Sequence, residues 1–586
     1  MQDPIIAVGS TEKLSVSAKK NIIDWLTGEK YSHYKDELTG LVVNEDWQLL
    51  EDNFYTILPF GTGGRRGTVG IGSARVNRIT IGETVQALCD YLHEVYAEDD
   101  ITGVAIACDS RLTSEEFSKY CAEVLAGNNI KAYIFNGPRA TPELSFAVRH
   151  LDMTAGIVIT ASHNPSSDNG IKLYWKDGGQ LVSPHDGNIL GAAERGTHIA
   201  KVAYEKGRNE GLIHVIHTDV DAAYFKTVLK ESRSKNHDLK IAYSPLHGTG
   251  ITSVYPVLQK VGFNVVLYES QATLDGNFAN VTNNIPNPEV VTTNDKVSAY
   301  ALEQDADIAI TNDPDADRYC IIVNHNGHMQ QLNGNQAAVL MTDYILEKAK
   351  NTNSLTSKHF ISSTIVTTDL LPLLAKHYGI NSVSNLLVGF KYIGEQIHLR
   401  CDKGDEIFLC GGEESYGGII GTYARDKDGA APAMILAEMA AELKVKKVTL
   451  VDKLDELYSK HGYFHEELEA IYFYGASGSE KMKAFMHDLR SNPPKEMAGC
   501  KVRKVRDYIT GEEIEGRSED VLRIEFSNDG RNRITVRPSG TEPKLKVYVQ
   551  MYAPVVDSLA ATKESVISKA NALKQDILCM VTNYSE

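Results

Sequence analysis

GIVITASHNPSSDNGIKLY (156–174) is the stretch on which the fold turns. Its first six residues have buried-strand character and break abruptly into a polar loop at Ser162, and Lys172 follows across an Asn-Gly turn. The same rhythm, an apolar run followed by a Gly- or Asp-rich segment and then a helix-like pattern, recurs at VAIAC (104–108), LKIAYS (239–244), ADIAIT (306–311) and EIFLC (406–410). That alternation predicts an α/β protein with largely parallel sheets covered on both faces. Residues 14–28 form an amphipathic helical lead-in (Ile22, Ile23, Trp25, Leu26) closed by Gly28. The C-terminal stretch differs. VLRIEF (521–526), the Asn528-Asp529-Gly530 turn, RITV (533–536) and LKVYVQM (545–551) alternate as antiparallel strands before a final helix, so a separate α+β domain is expected.

A chain of 586 residues exceeds one hydrophobic core, and about 150 residues per domain gives roughly four. The expected divisions are 1–235, 236–334, 335–470 and 471–586. Hydrophobic residues make up 42% and charged residues 23%, an ordinary folded composition. A net charge of −17 argues against nucleic-acid or anionic-membrane partners, so an anionic substrate must meet locally concentrated cations. No run has membrane-helix length, no signal-peptide pattern opens the chain, and the eight cysteines include no C-x-x-C pair. These features predict a cytoplasmic protein with reduced thiols and no zinc site.

In α/β sheets ligands sit where strands end, and four such segments stand out. Ser162 is placed like a nucleophile, although the segment also reads as a turn in which Ser162 and Asn164 satisfy backbone groups. A G-x-S-x-G elbow is missing, which disfavours acyl transfer. In DIAITNDPDADRYCIIV (307–323), Asp313, Asp315 and Asp317 alternate and can converge on one cation, the alternative being a solvated acidic turn. The EF-hand pattern fails at Arg318 and Asn324, and few protein oxygens with room for phosphate favour Mg2+ over Ca2+. CGGEESYGG (410–418) presents Glu413 and Ser415, suited to neighbouring sugar hydroxyls or to an acidic turn, and RDKDG (425–429) follows. TVRPSGTEPKLKVY (535–548) gathers Arg537, Ser539, Gly540, Thr541, Lys544 and Lys546 as a phosphate cradle or a basic hairpin. PFGTGGRRG (59–67) adds a glycine-rich loop beside Arg66.

Together and in this order, ASHNP with NGIK, DPDADR, GGEES and RPSGTEPK resemble the four signature loops of the α-D-phosphohexomutase superfamily of phosphoglucomutases and phosphomannomutases. CDSR (108–111), YSPLHGTG (243–250) and GFKYIG (389–394) are similar as well, the last favouring the larger phosphoglucomutase branch with its phosphopentomutase-like members. The resemblance implies three similar α/β domains with mixed sheets and a C-terminal α+β domain around a central active-site cleft. It implies that Ser162 is phosphorylated, with Mg2+ held by its phosphate and by Asp313, Asp315 and Asp317. Arg318, Arg66 and His163 are then phosphate neighbours, and Lys172 exchanges a proton with the reacting hydroxyl. Glu413 and Ser415 read the sugar, Lys427 contacts substrate, Gly389 and Lys391 lie in an orienting loop, and Arg537, Ser539, Gly540 and Thr541 hold the distant phosphate. Arg65 replaces an expected apolar residue and Asp168 a common aromatic.

The implied reaction interconverts glucose 1-phosphate and glucose 6-phosphate through phosphoserine 162 and bound glucose 1,6-bisphosphate, in a monomer or weak homodimer. Mannose or pentose phosphates by the same route are alternatives. A metal-dependent phosphatase and a non-catalytic sugar-phosphate binder are the readings of other kinds. The chemistry needs Lys172 to have a pKa lowered by cationic neighbours, and it needs the C-terminal domain to close against water.

Overall fold

The computed structural model describes residues 3–59, 64–195, 198–473, 475–514, 517–539 and 544–585. Three times along it one four-strand pattern recurs. The first sheet holds β1 (Arg65–Thr68), β2 (Val104–Cys108), β3 (Ala132–Phe135), β4 (Ala155–Ile159), β5 (Asp168–Trp175) and β6 (Ile213–Ile216), in the order β1-β5-β4-β2-β3-β6. The second holds β7 (Lys240–Ser244), β8 (Asn264–Leu267), β9 (Ile308–Asn312), β10 (Tyr319–His325) and β11 (His328–Gln331), ordered β11-β10-β9-β7-β8. The third orders β12 (His359–Thr364), β13 (Asn381–Leu386), β14 (Ile407–Glu413) and β15 (Gly417–Ile420) as β13-β12-β14-β15.

In each sheet the first strand of the pattern lies between two parallel neighbours, and the third strand is followed by an antiparallel return. The pairs concerned are β4 with β5, β9 with β10, and β14 with β15. The expected mixed-sheet α/β class is therefore observed. The strands β2, β4 and β9 are buried throughout, as their unbroken apolar runs require.

The fourth sheet is antiparallel. It orders β16 (Tyr463–Tyr472), β19 (Lys504–Asp507), β20 (Leu522–Glu525), β21 (Arg533–Pro538) and β22 (Lys544–Ala553) as β16-β22-β21-β20-β19, beside a small hairpin of β17 (Glu496–Met497) and β18 (Cys500–Lys501). The C-terminal helix Leu559–Ser585 packs on β16 and β22. The division expected at 470 falls inside β16, which pairs along its whole length with β22 and so belongs to the C-terminal sheet.

A second difference concerns Asn169-Gly170, read above as a turn. Both residues lie within β5, opposite Gly67 and Arg66 of β1. Glycine is needed there because a Cβ at 170 would stand 2.4 Å from the Arg65 carbonyl oxygen, so the residue marks close backbone approach. The reversal itself lies in the loop between β4 and β5.

The N-terminal helices pack on their own apolar cluster, in which Ile22, Trp25 and Leu26 of the helix Val16–Thr27 are buried with Phe54. The helix Arg78–Val95 starts at Asn77, whose side chain accepts from the Ile79 and Thr80 amides while Thr80 accepts from the Asn77 amide. Among the described residues no helix is long and apolar enough to cross a membrane.

Candidate active site

Because three sheets share one pattern, the loops after β4, β9 and β14 all leave the carboxyl end of a strand running with the sheet and face one cleft. The end of β21 and the start of β22 close it from the fourth side. The cleft is lined by Ser162, His163, Arg66 and Lys172, by Asp317 and Arg318, by Gly389, Glu413, Ser415 and Lys427, and by Arg537, Ser539, Lys544 and Lys546.

Ser162 is 2% exposed and sits at φ +51°, a left-handed conformation costly for a side chain with a Cβ. Its neighbours hold it there. Its amide donates to Thr160 Oγ1 at 2.7 Å, and its carbonyl accepts from Arg111 Nη2 at 2.6 Å. The same guanidinium donates to the carbonyls of Asn164, Pro165 and Asp168, and its Nε to Asp109 at 3.1 Å. Arg111, fully buried, is thus the frame on which the serine loop is folded. The Ser162 hydroxyl donates to Asp313 Oδ2 at 2.7 Å and lies 3.2 Å from His163 Nδ1. Burial, with Arg318 and Arg66 nearby, pushes the His163 imidazole well below its usual pKa, so the ring is neutral.

The three aspartates are buried, and each offers an oxygen within 4.8 Å of the others. The turn that joins β9 to β10 brings them inward, with Ala316 at φ +50°. Burial and then the adjacent Asp315 and Asp317 raise the Asp313 pKa well above the ordinary carboxylate value. For Asp315 burial also opposes ionisation, but Lys172 outweighs it and holds the carboxyl below its usual range. Asp315 Oδ1 and Asp317 Oδ1 are buried without a hydrogen-bond partner. A divalent cation with oxygen ligands fits this set: converging carboxylates, two unengaged oxygens and the Ser162 hydroxyl beside them.

Lys172 departs from expectation. Its Nζ lies 2.8 Å from Asp315 Oδ2 and 3.2 Å from Asp317 Oδ2. Burial alone would lower its pKa, yet the two carboxylates more than compensate and the shift is upward. Its surroundings are anionic rather than cationic, because the loop after β9 faces β5 directly. Lys427, 3.2 Å from Asp317 and 3.5 Å from Asp426, is likewise held as a cation.

Arg318 is divided between Glu289 and the aspartates, with Nε 3.7 Å from Asp313 Oδ2. Arg66 Nη1 lies 3.4 Å from Asn164 Oδ1. The Gly389 amide donates to Glu413 Oε1 at 3.1 Å, from a φ of +134° that only glycine adopts readily. Lys391, in the first turn of the helix Phe390–Ile397 rather than in a loop, turns to Asp186, 3.1 Å away, and is not among the cleft-lining residues. Arg537 is paired with Glu519 at 2.7 Å, and the Ser539 amide donates to the Lys544 carbonyl. Gly540 and Thr541 lie outside the described residues.

The two departures are accommodated. Arg65 is buried with Nη1 on the Thr80 carbonyl at 3.1 Å, and Asp168 accepts from Thr68 and Asn164.

Four family models cover most of the chain in order. Phosphoglucomutase/phosphomannomutase alpha/beta/alpha domains I, II and III match residues 58–220, 222–327 and 333–461, and the C-terminal domain matches 499–556. The chain belongs to the phosphoglucomutase/phosphomannomutase family. A phosphoglucomutase of Staphylococcus aureus is 35% identical over 532 residues, covering 88% of this chain and 93% of the relative. One from Staphylococcus epidermidis is 35% identical over 538 residues, covering 88% and 95%. Of solved structures, a putative phosphomannomutase from Thermus thermophilus superposes with a TM-score of 0.64 at 21% identity, over 90% of this chain and 99% of that one. The open form of a Paramecium phosphoglucomutase, parafusin, gives 0.62 at 17%, over 90% and 98%. These two likenesses concern the fold.

Several residues that line this family member's cleft or hold its carboxylates from behind went unnoticed in the sequence. Thr141 donates from its hydroxyl to Asp315 Oδ2 at 2.8 Å and from its amide to the Asp315 carbonyl, yet RATPEL (139–144) offers no signal. Gln180, which lines the cleft, donates to Asp426 at 2.6 Å, and Tyr174 joins the same carboxylate at 2.7 Å. Glu414 is pushed up to about 7 by burial and by Glu413.

Proposed function

We propose that this enzyme is a metal-dependent phosphosugar mutase that interconverts glucose 1-phosphate and glucose 6-phosphate by way of a phosphoryl group on Ser162. The observation carrying the reading is the Ser162 hydroxyl 2.7 Å from one of three convergent buried aspartates, at the floor of a cleft whose far side is cationic. Asp313, Asp315 and Asp317 would hold Mg2+, which when bound supplies positive charge to the transferring phosphoryl group.

In the proposed cycle phosphoserine 162 gives its phosphoryl group to the free hydroxyl of a sugar monophosphate. The P–Oγ bond breaks, a P–O bond to the sugar forms, and the sugar proton passes to the site while Ser162 Oγ regains one. The resulting glucose 1,6-bisphosphate turns over in the cleft and returns its other phosphate to Ser162. Lys172, carried as an ammonium between Asp315 and Asp317, is proposed to give its proton to the departing Ser162 Oγ and, as the amine so formed, to take the proton of the sugar hydroxyl. Arg318, Arg66 and the neutral His163 flank the serine, and Lys427 adds fixed charge. Glu413 and Ser415 would grip two sugar hydroxyls, while Arg537, Ser539 and the basic pair Lys544 and Lys546 take the distant phosphate. Arg537 must trade Glu519 for that phosphate, which fits an inward movement of the C-terminal domain that excludes water.

Glucose is preferred because the sequence likeness to phosphoglucomutases reaches 35% identity. All four sides of the cleft come from one chain, which supports activity as a monomer. Eight cysteines without a disulfide support a reducing compartment, the cytoplasm. The test is a panel of glucose, mannose, pentose and amino-sugar 1-phosphates assayed with Mg2+ and a trace of glucose 1,6-bisphosphate. Glucose 1-phosphate should turn over fastest, Ser162→Ala should be inactive, and label from the bisphosphate should reside on Ser162. Full-speed isomerisation by Ser162→Ala overturns the mechanism, and a preference for another sugar overturns the substrate.

A further inference from the structure

At the other end of β21 from Arg537, a second polar cavity of ≈ 400 Å³ opens between the helix Leu370–Tyr378 and the strands β19, β20 and β21. Neighbouring strands set arginines side by side. Arg506 of β19 stands directly opposite Arg523 of β20, and Arg533 of β21 lies on the same face, opposite Glu525. Like charges directly opposite each other destabilise a sheet, so this arrangement calls for compensation.

The compensation is incomplete. Arg533 is answered by Asp369, Arg531 by Asp529 at 3.6 Å, and Arg506 by Glu513 and Glu525, each at 2.7 Å. Arg523 has as its ion-pair partner among the described residues Glu525 at 3.8 Å, a carboxylate already engaged by Arg506; it also donates to the Ile365 carbonyl at 2.9 Å and lies over the Tyr508 ring at 5.5 Å. Its Nε is buried without a hydrogen-bond partner. Lys376, exposed on the helix side of the cavity, has no ion pair among the described residues. In a chain of net charge −17, five cations and four carboxylates therefore meet around one cavity, a surplus of one positive charge.

We infer that this cavity binds a small phosphate-bearing anion, held between Arg523, Arg531 and Lys376. The local surplus of positive charge attracts an anion, and guanidinium forks suit phosphoryl oxygens. The volume lies in the range of small-molecule sites. Burial and the nearby Arg533 pull Arg523 down to about 10, the direction expected of a cation short of its counterion. The occupant would touch both the helix after β12 and the C-terminal sheet, so it would tie the third and fourth units together.

The inference does not depend on the sugar assigned above. Full-length protein is titrated calorimetrically with inorganic phosphate and, separately, with glycerol 3-phosphate, comparing wild type with Arg523→Gln, Arg531→Gln and Arg537→Gln. One binding event should weaken by about tenfold or more in Arg523→Gln and Arg531→Gln and persist in Arg537→Gln. Saturation of wild type should slow amide exchange in 369–376 and 504–507, and turnover without added anion should stay within about twofold of wild type in both cavity variants. Tighter binding of glycerol 3-phosphate identifies a phosphorylated metabolite, whereas equal or weaker binding identifies free phosphate. Should Arg523→Gln fail to fold, Arg531→Gln, changed at a half-buried residue just after the Asn528-Asp529 turn, decides alone. Binding indifferent to the cavity substitutions, or no added protection in 369–376, overturns the proposal.

Discussion

Arg111→Lys keeps the charge beside Asp109 and removes the fork, and it tests whether the serine loop is held by one side chain. The guanidinium reaches four carbonyls at 2.6–2.8 Å, those of Ser162, Asn164, Pro165 and Asp168. One ammonium nitrogen can serve about half of them, and each lost bond from a charged donor is worth ~1.5–3 kcal/mol before water refills the site. Allowing for that refilling, the native loop loses about 2–4 kcal/mol, enough to overcome what keeps Ser162 at positive φ, a strain of roughly 1–2 kcal/mol. The catalytic geometry should then be populated about 30- to 1000-fold less, and kcat/KM should fall in proportion. The assay is kcat/KM for glucose 1-phosphate together with amide exchange across 162–168. A variant within threefold of wild type with unchanged exchange would show that the serine loop does not hang on Arg111.

Replacing Lys172 by Met leaves Asp315 and Asp317 with Lys427 as their remaining ammonium. Stability in chelating buffer should drop by roughly 1–3 kcal/mol and recover on adding MgCl2, and a Tm indifferent to the metal would show that these carboxylates do not gather a cation. Exhaustive chelation of the wild type should abolish isomerisation, Mg2+ should restore it, and Asp315→Asn should raise the Mg2+ concentration needed by about 10- to 100-fold; activity that survives chelation speaks against the metal. Glu143, 1% exposed, has its carboxyl raised by burial to about 8. The native state therefore keeps a proton that the unfolded chain releases near pH 4.5, and this group's contribution is lost as pH rises toward 8. Urea unfolding should show Glu143→Gln gaining roughly 1–4 kcal/mol on wild type between pH 5 and 8.5, and an unchanged difference would contradict the assignment.

The segments that carry chemistry were legible because polar residues interrupt fully buried strands, a contrast visible without coordinates. The threefold recurrence was visible only through the family resemblance, since what repeats is strand order while the residues differ. The strand β16, YFHEELEAIY, escaped because Glu466, Glu467 and Glu469 break its pattern on the outer strand of a sheet, where charge guards against pairing with other chains but erases the apolar signal. Asn169-Gly170 misled for the opposite reason: a pair that usually signals reversal here admits a neighbouring backbone. Lys172 was identified as a site residue, but its environment was misjudged. The sign of that environment depends on a loop more than 140 residues away, and Thr141, which reaches the same carboxylate, lies in a stretch with no motif at all.

The bond from Ser162 to Asp313 spans 151 positions of chain. During synthesis at ~5–20 residues per second, the serine leaves the ribosome roughly 8–30 s before its carboxylate partner exists. A nascent or truncated chain ending before the second sheet thus displays the hydroxyl without its carboxylate partner. On the proposed mechanism, phosphoryl transfer begins only once these distant parts have docked, and fragments left by interrupted translation would be inactive on phosphosugars.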